Sequence, residues 1–134
     1  MKVIVVGSGR LGANVASTLD QEGHTVVVVD KNPTAFRRLD PRFGGTTLAG
    51  DGTDIDVLKK AGIGEADVFL ALTNSNNANI MMAQVAMTLF GVRRVVAEAL
   101  DPDRVRVFEV LGIPYVNPFA LGIAAVLDKV REGV

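Results

Sequence analysis

Cysteine is absent from the 134 residues, so neither a disulfide framework nor a thiolate metal centre can be built from this chain. Tryptophan is absent too and Tyr115 is the single tyrosine, which removes the aromatic platform on which single-stranded nucleic acid stacks. Histidine occurs once, as His24, and no cluster of His, Asp and Glu has metal-ligand spacing. Neither sign of charge dominates. With 14 Lys and Arg against 15 Asp and Glu, the net charge of −1 creates no global field for nucleic acid or an anionic membrane. No apolar run approaches the roughly eighteen residues needed to span a bilayer, so no membrane insertion is expected. The apolar stretch Met1–Val6 is too brief for a secretory signal core and is interrupted from Gly7 to Gly12. These exclusions leave a cytoplasmic domain, and residues 1–134 read as one unit without linker, repeat or low-complexity segment.

What is present is alternation. Apolar, β-branched runs predict strands over Lys2–Val6, Thr25–Val29, Thr46–Ala49, Val68–Leu72, Arg94–Ala97 and Pro114–Val116. Helical patterns lie between them at Leu11–Glu22, Pro33–Leu39, Ile55–Ala61, Ala78–Phe90 and Pro102–Leu111, and a last helix covers Pro118–Arg131. The strand runs are continuously apolar, as they are when both sheet faces are covered. The expected fold is therefore α/β and Rossmann-like: a doubly wound, parallel, six-stranded sheet with helices on both faces.

The first strand runs into Gly7-Ser8-Gly9-Arg10-Leu11-Gly12, a Gly-x-Gly-x-x-Gly that opens a helix. In that setting Gly7 makes the tight turn, Gly9 lets a pyrophosphate approach the backbone, and Gly12 lets helix and strand pack closely. The helix start offers unpaired N–H groups and partial positive charge to phosphates. Arg10 either clamps a phosphate with paired hydrogen bonds or is a solvated surface arginine.

Asp30 falls at the end of the second strand, eighteen residues past Gly12, where a carboxylate accepts both ribose hydroxyls of an adenosine. It would repel a 2′-phosphate, which argues for NAD or an unphosphorylated adenosine, although Lys31 beside it could pair with such a phosphate. The competing role for Asp30, a helix cap, is better filled by Asn32. The third strand ends in Gly50-Asp51-Gly52-Thr53, which places Asp51 and the backbone around Gly52 near the adenine edge; Asp51 and Thr53 are equally good turn and cap residues. Thr73 opens the run Asn74-Ser75-Asn76-Asn77-Ala78-Asn79 after the fourth strand. Across the topological switch point this run forms the other wall of the crevice, and its hydroxyls and amides either meet phosphate or ribose or cap the next helix. No nucleophile elbow, no Walker-type lysine and no acid–base pair can be assembled, so no catalysis is expected.

Taken together, Gly7–Gly12, Asp30, Gly50-Asp51-Gly52-Thr53, Leu72-Thr73-Asn74 and Asn79 resemble the TrkA-N family, also called the N-terminal lobe of regulators of potassium conductance, or RCK domains. Gly91-Val92, Ala97-Glu98-Ala99 and Gly112-Ile113-Pro114 with Pro118 fit the same pattern. The resemblance implies phosphate binding by Gly7, Gly9, Arg10 and Gly12, ribose binding by Asp30 and adenine contacts from Asp51 and Gly52. It implies that Thr73, Asn74 and Asn79 face the far side of the ligand. Ser8, Leu11, Lys31 and Thr53, adjoining these positions in the sequence, complete the candidate cofactor-binding set. Two departures bear on the second half of a dinucleotide: Asn76 and Asn77 stand where many relatives are acidic, and Glu98 where many have arginine.

Such lobes form dimers and rings beneath membrane potassium channels and transporters, and usually continue into a second lobe. The resemblance thus implies a sensor of NAD(H), ATP, ADP or AMP that gates a potassium transporter or channel subunit from the inner face of the membrane. The rival readings are the cofactor half of an NAD-dependent oxidoreductase and a scaffold with a vestigial site. In the last helix Phe119, Ile123, Val126, Leu127 and Val130 form one apolar stripe, expected to cover a sheet face. Leu121, Ala124 and Ala125 extend the apolar surface, which together with the resemblance predicts a homodimer joined through residues 118–131.

Overall fold

The computed structural model describes residues 1–132. Six parallel strands form one sheet in the order β3-β2-β1-β4-β5-β6, with β1 (Lys2–Val6), β2 (Thr25–Asp30), β3 (Thr46–Ala49), β4 (Val68–Ala71), β5 (Arg94–Glu98) and β6 (Tyr115–Val116). β1 is central because its valines and isoleucine are buried on both faces, which only a strand covered by helices on each side tolerates. Val3 and Val5 point to the face packed by α1 (Arg10–Gln21), through Leu11, Val15, Ala16 and Leu19. Ile4 and Val6 point to the face packed by α2 (Ile55–Lys60), α3 (Asn76–Gln84) and α4 (Val105–Val110), through Leu58, Met82 and Phe108. The chain order reverses between β1 and β4, so the ends of those two strands part and open a crevice.

Several elements differ from the expectation. Residues Pro33–Arg38 form a 3₁₀ segment, capped by Asn32 Oδ1 accepting from the Thr34 amide at 3.1 Å. Pro41 disfavours a helical Asp40, so the segment has too few residues to settle into an α-helix. Helix α3 begins two residues early, with Ser75 as its cap, and widens into a π-turn over Val85–Leu89. Residues Pro102–Arg104 precede α4 as a 3₁₀ turn.

The largest difference concerns α5 (Pro118–Arg131), which was expected to lay its stripe on a sheet face. None of its residues is buried, and Phe119 and Val126 are 70% and 62% exposed. The physical reason lies in the strand before it. β6 pairs through two residues only, so the sheet margin offers a fourteen-residue helix little surface to lie on.

Candidate nucleotide-binding cleft

The glycine turn shows which of its residues the fold itself demands. Gly7 has φ +107°, and a Cβ there would collide with the Leu72 carbonyl on β4's side of the crevice. A Cβ on Gly12 would collide with the Gly7 carbonyl, so α1 could not approach the turn. At Gly9 an added Cβ meets no protein atom within 4 Å. Gly9 is also the N-cap of α1, has no side chain to cap it, and is followed by a first turn without an acidic residue. The leading amides of α1 therefore remain available to an outside anion.

Beside the turn, Asp30 holds two backbone segments at once. Its Oδ2 accepts from the Ser8 amide and its Oδ1 from the Asn32 amide, both at 2.8 Å. Each oxygen keeps further acceptor capacity. Ser8 is fully buried, and its hydroxyl donates to the Ala35 carbonyl at 3.0 Å rather than into the crevice. Arg38 Nη1 donates to the Ser8 carbonyl at 3.4 Å, bringing a guanidinium to the same corner.

After β3, Asp51 Oδ1 accepts from the Thr53 amide at 2.9 Å and from the Thr53 hydroxyl at 2.7 Å. These bonds, with the Lys31 ammonium 3.6 Å from Oδ2, hold the Asp51 carboxyl below the ordinary range. Lys31 is thus already paired. Gly52 is buried, and a Cβ there would press on Met82 Sδ and Val6 Cγ1, each 2.6 Å away.

The far wall is fastened by Asn79, which is fully buried. Its Oδ1 accepts from the Thr73 amide at 3.0 Å and from the Thr73 hydroxyl at 2.6 Å; its Nδ2 donates to the carbonyls of Thr73 at 3.0 Å and Glu98 at 2.9 Å. One amide side chain therefore ties the end of β4 to the end of β5. Asn76 and Asn77 do similar work further out, accepting from the Leu100 amide at 2.8 Å and from Arg104 Nη1 at 3.0 Å.

These walls enclose a cleft of about 680 Å³, a volume suited to a nucleotide. Of the residues expected from the sequence, Gly7, Gly9, Arg10, Leu11, Asp30, Lys31, Asp51, Gly52, Thr53, Thr73 and Asn74 line it. Ser8, Gly12 and Asn79 stand behind that lining and hold it in place. Sequence reasoning did not assign Arg38, Met82, Glu98, Leu100 and Pro118 to the cleft, which they also line. Arg38 sits on a 3₁₀ turn with no motif to mark it, whereas Glu98 was visible as a departure from arginine. Burial pushes the Glu98 carboxyl above its ordinary value, and no cation or donor among the described residues offsets the shift. His24 lies elsewhere, its Nδ1 3.1 Å from the Met1 amino group, at the opposite end of the strands.

A family model described as the TrkA-N domain matches residues 3–117. The Trk system potassium uptake protein TrkA of Streptomyces coelicolor is 47% identical over 116 residues, which are 87% of this chain and 52% of that protein. The chain thus spans about half the length of that relative. Among solved structures, the TrkA-N domain of the inner membrane protein ybaL from Escherichia coli superposes with a TM-score of 0.82 at 20% identity, covering 98% of this chain and 96% of that one. The GsuK channel bound to NAD gives 0.71 at 20% identity, covering 86% of this chain and 21% of that one. At such identities the two superpositions speak for the shared fold.

Proposed function

The chain belongs to the TrkA-N domain family, and from that premise we propose that it is an adenine-nucleotide-sensing regulatory domain of a potassium transport system. The observation that carries this reading is the contrast within the glycine turn. Packing dictates Gly7 and Gly12, but no atom of the described residues comes within 4 Å of a Cβ placed on Gly9. That space adjoins the start of α1 and lies in the same cleft as Asp30. A phosphate against Gly9 and a ribose on Asp30 use both features, and no packing requirement explains the first. The ligand class is NAD(H), ATP, ADP or AMP. Lys31 is engaged by Asp51, which supports an unphosphorylated adenosine ribose over a 2′-phosphate.

Regulation rather than catalysis is favoured by what lines the cleft. It carries no histidine, and no group of three or more potential metal ligands occurs among the described residues. The mechanism is linkage: a nucleotide that binds one arrangement of the assembly better than another shifts the population by that difference. The partner is a membrane potassium transporter or channel subunit, met on the cytoplasmic side. The unpartnered apolar face of α5 supports a homodimer, alone or within a larger ring.

Calorimetry with NAD⁺, NADH, ATP, ADP and AMP tests the site. At least one must bind, and Asp30→Ala must weaken it by about 1–3 kcal/mol. Gly9→Ala must weaken it as well while leaving the melting temperature nearly unchanged. Unaltered affinity in both variants removes the assignment. Light scattering tests assembly: the protein must be dimeric at micromolar concentration, and Ile123→Asp monomeric with its nucleotide affinity retained.

A further inference from the structure

The charges lining the cleft are unevenly placed. Arg10, Lys31 and Arg38 all belong to the half built on the ends of β1, β2 and β3. The opposite half is lined by Thr73, Asn74, Ser75, Leu100 and Glu98, a set without Lys or Arg whose one formal charge is the Glu98 carboxylate. Glu98 is the last residue of β5, half-buried, and its carbonyl is fixed by Asn79 Nδ2. Among the described residues no ion pair holds its side chain.

We infer that Glu98 is a specificity-determining residue that bars a third phosphate from the far half of the cleft and selects ligands whose distal group is neutral or cationic. The inference rests on the nucleotide reading above and narrows it. With the adenosine ribose on Asp30 and the first phosphates at Gly9 and the start of α1, a longer phosphate chain has one direction left, across the switch point toward β4 and β5. There its additional negative charge meets a carboxylate in a partly desolvated site, where repulsion is much stronger than in water. Among the described residues no guanidinium or ammonium on that wall lines the cleft to offset it; Arg104 lies further out, donating to Asn77. A ribose diol or a nicotinamide ring instead brings hydrogen-bond donors or positive charge to the same carboxylate. Burial already disfavours the charged form of Glu98, so a donor relieves that penalty and another anion adds to it. The selected class is therefore a nucleoside mono- or diphosphate, or a dinucleotide whose two phosphates stay at the glycine turn.

The test is the ratio of ATP to ADP affinity, measured by calorimetry with and without Mg²⁺ on the wild type, Glu98→Gln and Glu98→Arg. Using a ratio cancels any general change in the site, and melting curves confirm that each variant is folded. The wild type should bind ATP at least about tenfold more weakly than ADP, the ratio should rise severalfold in Glu98→Gln, and Glu98→Arg should reverse the preference. Equal or tighter ATP binding by the wild type, with or without Mg²⁺, overturns the inference. So does a ratio that is the same in all three proteins. In both cases ADP binding still leaves the nucleotide reading standing, whereas a wild type that binds no adenine nucleotide removes both.

Discussion

The two halves of the cleft come from the same strand–helix alternation but hold their charges in different ways. On the half formed by β1, β2 and β3, every carboxylate has partners: Asp30 two backbone amides, Asp51 a threonine and a lysine. On the half formed by β4 and β5, the backbone is fastened by the neutral amide of Asn79, and the Glu98 carboxylate has no partner among the described residues. The first half is organised around negative charge before any ligand arrives. The second is organised around shape, leaving its one charge to be answered from outside. A uniform phosphate groove would have spread its cations over both walls.

That contrast can be broken from the first half by Gly12→Val. The new side chain collides with the Gly7 carbonyl and forces α1 off the sheet. Urea unfolding should show a loss of about 3 kcal/mol or more, the largest effect expected of any single change here. A loss below about 1 kcal/mol would mean that the turn relaxes freely.

Breaking the second half takes Asn79→Ala. It leaves the Glu98 carbonyl and the groups of Thr73 short of partners in a buried place, for a cost of about 1–3 kcal/mol by the same method. Because Asp30 and the glycine turn are untouched, the affinity for AMP, the ligand confined to the first half, should fall much less than the affinity for NAD⁺. Equal losses for the two ligands would show that the halves are not independent.

The smallest effects sharpen the comparison through pH, because the two sides carry shifts of opposite sign. Glu98 titrates above its ordinary 4.5 in the folded chain, so its favourable contribution is complete below pH 4.5 and is lost as pH rises through the folded value. Asp51 titrates below its ordinary 3.8, so its contribution is present above pH 3.8 and is lost as pH falls through the folded value. Melting temperatures should accordingly rise for Glu98→Gln at neutral pH and converge with the wild type in acid. Asp51→Asn should melt lower at neutral pH and converge with the wild type at the most acid pH. Parallel curves at all pH values would contradict both assignments.

Much of this was legible in the sequence because the dominant constraints are local. Runs such as Val26-Val27-Val28-Val29 suit a strand buried on both faces, and a glycine turn between strand and helix has few uses. Asp30 was readable from its distance to Gly12. The orientations decided by tertiary contacts were not. Asn79 lies in a run of cap-forming residues, and only the meeting of β4 and β5 shows that its amide turns inward. Ser8 occupies a ligand-facing motif yet serves the Ala35 carbonyl. In α5 the apolar spacing was recognisable, but whether it meets its own sheet depends on the two-residue length of β6, which propensity does not fix.

Pro118 lines the cleft at one end of a rod none of whose residues is buried. At about 1.5 Å per residue, fourteen helical residues reach about 21 Å from that point. Turning the rod by about 10° at its base sweeps the far end, near Arg131, through roughly 3.5 Å, by the geometry of a stiff helix. A displacement at the mouth too small to disturb the sheet thus becomes, at the tip, comparable to the spacing between adjacent side chains. The arrangement has mechanical gain, and its fulcrum, Pro118, is one of the residues that line the cleft.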